Sequence, residues 1–168
     1  SRNTAQEIAG TVEKLKLESP KMPLTLGISG PEGCGHAFFI AELVEVMEAK
    51  NILVSGLDLT EQLGIEFSKQ HDLLKYWRSE WVCNWVLEHV LSPFSRGEQL
   101  LIEQALEPLS GFEVTPFPFY LVPEMVLIVW GSTLFLKQFS ELIDIRILLE
   151  LSPSAATARA FNIDERED

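Results

Sequence analysis

An α/β domain with a mainly parallel β-sheet flanked by helices is the fold this sequence predicts, on three observations. Two near-continuous apolar runs, "EMVLIVW" and "DIRILLEL", read as strands of a parallel sheet covered on both faces. Apolar runs of this kind alternate along the chain with stretches of helical periodicity. A glycine-rich turn, "GISGPEGCGHAFF", joins an apolar strand to the start of a helix.

Taken in order, residues 4–17, "TAQEIAGTVEKLKL", place Ile8, Val12, Leu15 and Leu17 on one stripe and predict an opening amphipathic helix. "PLTLGIS" follows Pro23 as a short apolar strand, the glycine turn comes next, and "GHAFFIAELVEVMEAK" has apolar positions at helical spacing. "NILVSGLDL" predicts a second strand, apolar through Ile52, Leu53 and Val54 before it meets Gly56 and Asp58. From about residue 72 to 107 the pattern is helical, with a break at "SPFSRG". "GFEVTPFPFYLVP" is proline-rich and predicts a loop or an edge strand. After the two long apolar strands, "SPSAATARAFNIDERED" opens on a Ser152 or Ser154 cap and continues as a closing helix. No internal repeat or low-complexity linker interrupts the chain, so residues 1–168 are expected to form one domain.

Composition excludes several classes. At 46% hydrophobic and 23% charged, the 168 residues suit an ordinary globular protein with a sizeable core. A net charge of −12 argues against a nucleic-acid partner, because binding a phosphate backbone needs a basic face. No apolar run reaches the roughly 18 residues needed to span a bilayer. The longest, "MVLIVWGSTLFL", is broken by Gly131, Ser132 and Thr133. The polar N-terminus shows no secretory signal, and Cys34 and Cys83 form neither a disulfide framework nor a metal-ligand spacing. His36, His71 and His89 offer no zinc motif. A reducing, cytoplasmic home is the expectation, with an organelle as the alternative.

The glycine turn matches the phosphate-binding pattern G-x-x-x-x-G-K-[ST] in half of its fixed positions. Gly30, Gly35, His36 and Ala37 fall on the four, and Gly33 and Cys34 lie between them. The glycines allow the backbone to curl into a nest of N–H groups, and the helix behind adds its positive end. The side chains do not match. The lysine that reaches the phosphates is His36, which is shorter and mostly neutral at pH 7. The hydroxyl that holds Mg²⁺ is the methyl of Ala37, and Glu32 adds a negative charge inside the loop.

With that loop in hand, the chain resembles the phosphoribulokinase/uridine kinase family of P-loop small-molecule kinases over nearly its whole length. "GISGPEGCGH" is similar to that family's "GISGxSGSGK" loop, and "ILVSGLDL" to its strand ending in paired aspartates, of which Asp58 is the survivor. "YWRSEWVCNWVLEHVLSPFSRGE" resembles an aromatic stretch leading into a helix, a Leu-Pro-Phe-like turn and a glycine. "VLIVWGSTLFL" stands where the family has a strand ending in an acidic residue and glycine. "LIDIRILLELSPSAATARAFNIDERED" resembles its last strand and arginine-bearing lid. The resemblance implies a three-layer P-loop NTPase/kinase-like fold, with ATP as the cofactor. It makes Asp58 the base that accepts a substrate hydroxyl proton and Arg159 a lid cation, should the protein be active; Gly30, Gly33, Cys34, Gly35, His36 and Ala37 would form the nucleotide loop.

The departures fall where such a kinase does its chemistry. The acidic position after the strand is Trp130, beside a retained Gly131; the second lid arginine is Ile163; one of the paired aspartates is Leu57 or Leu59. Residues 97–136 contain no lysine or arginine. Phosphoryl transfer is positioning and charge neutralisation by lysine, arginine and metal. Losing these together predicts a catalytically impaired member of the family, with no metal site, that acts as a binding or regulatory module. The alternative is an ATP-dependent kinase of a nucleoside, sugar or other small hydroxylated metabolite, with Arg78 or Arg96 replacing the lysine. A third course is anion or nucleotide sensing without turnover.

Other residues carry two readings each. Asp58 is a base or a cap after its strand, and Trp130 plugs the metal position or packs on a neighbouring helix. Trp77, Trp81 and Trp85 recur every four residues on one helical stripe, which is core or a face for a protein partner or a second copy. Cys34 at a helix N-terminus is a reactive thiolate or a small buried residue, and with His36 it makes a conceivable Cys-His pair.

Overall fold

The computed structural model describes residues 2–30, 35–58, 84, 86–102, 119–131 and 140–150. Within them, helix α1 spans Arg2–Glu18, strand β1 Leu24–Ser29, helix α2 His36–Ala49 and strand β2 Val54–Asp58. A π-helical stretch, Leu87–Leu91, runs into the short helix α3, Ser92–Ser95. Strands β3 (Leu100–Ile102), β4 (Phe119–Leu121), β5 (Val126–Trp130) and β6 (Ile145–Leu148) follow.

Four strands form a parallel sheet in the order β2-β5-β1-β6. Strands β1 and β5 fill its centre, and their sequences show why. Leu24–Ser29 is buried along its whole length, as are Val126 to Val129, because layers on both faces leave no position for a polar side chain to meet water. On one face Leu24, Leu26 and Ile28 of β1, Val126 and Ile128 of β5 and Ile147 of β6 pack with α1 and α2. Helix α2 buries Phe39, Ile40, Leu43, Val46 and Met47 there, at the spacing of one helical stripe. Leu57, Leu127 and Val129, alternate with these along the strands, are buried on the opposite face. The architecture is a three-layer α/β fold.

Two helix ends are set by single residues. Helix α2 stops because Asn51 adopts φ 59°, which lets its N–H reach Glu48 O (2.9 Å) and the Ile52 N–H reach Met47 O (3.1 Å). Gly97, at φ 79°, does the same for α3: its N–H bonds Phe94 O at 2.9 Å and the next N–H bonds Pro93 O at 3.1 Å.

Four expectations are corrected. The buried stripe of α1 runs through Ala5, Ala9 and Val12, with Ile8 beside it, whereas Leu15 and Leu17 face solvent. Small alanines bring the helix close to α2, and the stripe ends at Lys16 because the helix there meets polar backbone instead of the core. Strand β2 begins at Val54, since Ile52 is used in the turn that closes α2. The helical pattern predicted from about 72 to 107 is corrected at Leu100–Ile102: Gly97 turns the chain after Ser95, and these residues pair antiparallel with β4 as a two-stranded sheet, while 72–83, 85 and 103–107 lie outside the described residues. The same pairing makes Phe119–Leu121 the strand within the proline-rich segment. Finally, β6 is the outermost of the described strands and alternates: Ile147 is buried on the α1/α2 face, while Arg146 and Leu148, on the other face, are exposed. The closing helix predicted after residue 151 lies outside the described residues.

At the start of the sheet, Lys16 anchors α1. Its ammonium donates to Met22 O (2.6 Å), Pro123 O (3.1 Å) and Met125 O (3.2 Å), tying the last turn of α1 to the β4–β5 turn. Burial lowers the Lys16 pKa, against the opposing pull of Glu124 and Asp144. Asp144 and Thr25 hold β6 to β1 reciprocally: the Thr25 N–H donates to Asp144 Oδ2 at 2.7 Å and the Asp144 N–H to Thr25 O at 2.9 Å.

Candidate functional site

Parallel strands put all their carboxyl ends on one edge, and it is there that loops of an α/β sheet build sites. In this sheet the edge is made by Ser29, Asp58, Trp130 and Leu148, with the glycine turn leaving β1 toward α2.

The described residues at the two ends of the turn are Gly30 and Gly35. Gly30 is buried directly after β1, and Gly35 caps α2 at φ 84°, ψ 34° with no side-chain hydrogen bond. That left-handed conformation strains any residue with a Cβ, which is the physical reason for glycine here. The Gly35 carbonyl accepts the Phe39 N–H at 3.1 Å, so the helix starts cleanly and its positive end points back at the turn. His36 is the first residue of α2, and Ala37 follows in the same turn, exposed. Gly33 and Cys34 lie outside the described residues, as do Arg78, Arg159, Ile163, Trp77, Trp81 and Trp85.

Trp130 occupies the end of β5, in register with Ile28 on one side and Asp58 on the other. The next N–H, that of the buried Gly131, donates to Ile28 O at 3.2 Å and continues the ladder. The indole is half-buried, packs against the α1/α2 core, and lies over Gly56 of β2. A β-carbon at position 56 would come within 2.9 Å of Trp130 Cζ3 and 3.1 Å of Cη2. Gly56 is the site residue that sequence reasoning passed over. Its signal was an isolated glycine inside an apolar strand, which marks a close approach. Of the two readings of Trp130, the structure shows the packing one: at the end of β5 the indole packs on the α1/α2 core.

This donor set does not fit Mg²⁺. Ala37 presents a methyl and Trp130 an indole, whose N–H donates and coordinates nothing, where oxygen ligands are required. No group of three histidine, cysteine, aspartate or glutamate residues suited to a metal occurs among the described residues. Arg96, a candidate replacement for the lysine, pairs at the surface with Glu98: its Nη2 and Nε donate to Glu98 Oε2 at 2.8 and 3.1 Å. Among the described residues no helix is long and apolar enough to cross a membrane.

The layers and the parallel sheet make a fold of the P-loop kinase type, which solved structures share. The chain superposes on a protein described as a possible uridine kinase from Bacillus stearothermophilus with a TM-score of 0.61 at 14% identity, covering 94% of this chain and 88% of that one. It superposes on a protein described as a fructose transport system kinase from Silicibacter with a TM-score of 0.59 at 17% identity, covering 96% and 82%. No family model matches the sequence, and no curated protein matches it. At such identities the likeness is one of fold.

Proposed function

We propose that this chain is a kinase-fold protein whose phosphoryl-transfer site is degenerate, and that it serves as a binding or regulatory module in place of a working kinase. The observation that carries this reading is Trp130. Phosphoryl transfer depends on cations and metal ligands converging at the loop and the neighbouring strand end. Here the strand end carries an indole packed into the core, the lysine position is a histidine, and the hydroxyl position is Ala37. Removing one such group typically lowers a rate by orders of magnitude, and the losses at His36, Ala37 and Trp130 coincide.

What the turn keeps is ligand chemistry that needs no metal. Backbone N–H groups at the start of α2 and the left-handed Gly35 favour an anion. A nucleotide or other phosphate held there without turnover would make the protein a sensor, reporting to a protein partner in the cytoplasm. Arg159 and the Trp77, Trp81 and Trp85 stripe are the groups the sequence offers for lid and partner contacts.

The test is a titration with ATP, with and without Mg²⁺, following the thermal midpoint, beside an assay for phosphate transfer to nucleosides and sugars. The proposal expects no transfer and any stabilisation to be indifferent to Mg²⁺. ATP-dependent phosphorylation that disappears in a Gly35→Val variant would overturn it.

A further inference from the structure

We draw no further inference here: the strongest candidate, the open depression between the last turn of α1, the α2–β2 connection and the β4–β5 turn, beside which Leu17 and Leu53 are exposed, carries none because nothing in the structure shows what covers it.

Discussion

Trp130 and Gly56 are fitted to each other across the β5–β2 ladder: the indole takes the space that a side chain at position 56 would fill, 2.9 Å from where its β-carbon would stand. The half-buried ring packs on the α1/α2 core on one side and needs a bare backbone on the other. The end of β5 is thus part of the hydrophobic packing.

The first expectation concerns that pair. Gly56→Ala should destabilise the protein by about 1 kcal/mol net, the overpacking cost being partly offset by the smaller unfolded-state entropy of alanine. In a Trp130→Ala background the same substitution should become neutral or stabilising. Urea denaturation of the four proteins gives the coupling, and additive effects would show that the contact carries no energy.

Gly35 offers a second test. At φ 84°, Gly35→Ala should cost roughly 1–2 kcal/mol, and Gly35→Asn less, since asparagine tolerates the left-handed region. Equal effects of the two substitutions in thermal unfolding would argue against backbone strain as the cause.

Restoring the missing side chains is the third. If the proposed reading holds, the triple variant His36→Lys, Ala37→Thr, Trp130→Asp should bind ATP in a Mg²⁺-dependent way and the parent should not. At 100 times the dissociation constant the ligand should add about 2.7 kcal/mol of stability, read as a rise in Tm only when metal is present. Removing the half-buried indole works in the other direction, at less than the roughly 3–5 kcal/mol of a fully buried tryptophan, so the comparison is made between liganded and free forms of the same variant.

Lys16 supplies the fourth. Its ammonium is desolvated, and burial holds its pKa below the ordinary value of about 10.5. Between the lowered pKa and 10.5 the folded chain binds fewer protons than the unfolded chain, so this group makes stability rise with pH across that alkaline window. Lys16→Met should abolish that rise and also cost about 1–3 kcal/mol near neutrality, because the carbonyls of Met22, Pro123 and Met125 lose their donor. Denaturant midpoints at several alkaline pH values, wild type against variant, separate the two effects.

Much of this architecture is decided locally and can be read in order along the chain. Strands β1 and β5 are apolar without alternation, which marks them as central and covered on both faces. Helix α2 announces itself by its stripe, and Gly35 by its place between strand and helix. The departures of His36 and Ala37 from the phosphate-loop pattern are plain in the letters alone, because they are matters of residue type at a known spacing. Other features depended on what the chain meets after folding. Leu15 and Leu17 have the periodicity of a buried stripe, but alanines face α2, since close helix packing selects small side chains. Leu100–Ile102 follow a helical pattern, yet a partner strand twenty residues onward, supplied by Phe119–Leu121, makes them β. Leu148 belongs to an apolar run, yet it is exposed because it lies on the face of β6 opposite the buried Ile147. Gly56 had meaning only once parallel register brought Trp130 above it, and Lys16 only once three carbonyls from distant turns converged on its ammonium. Periodicity and backbone preference are properties of neighbours in sequence. Which face a side chain finds covered, and by what, is settled by elements far apart along the chain.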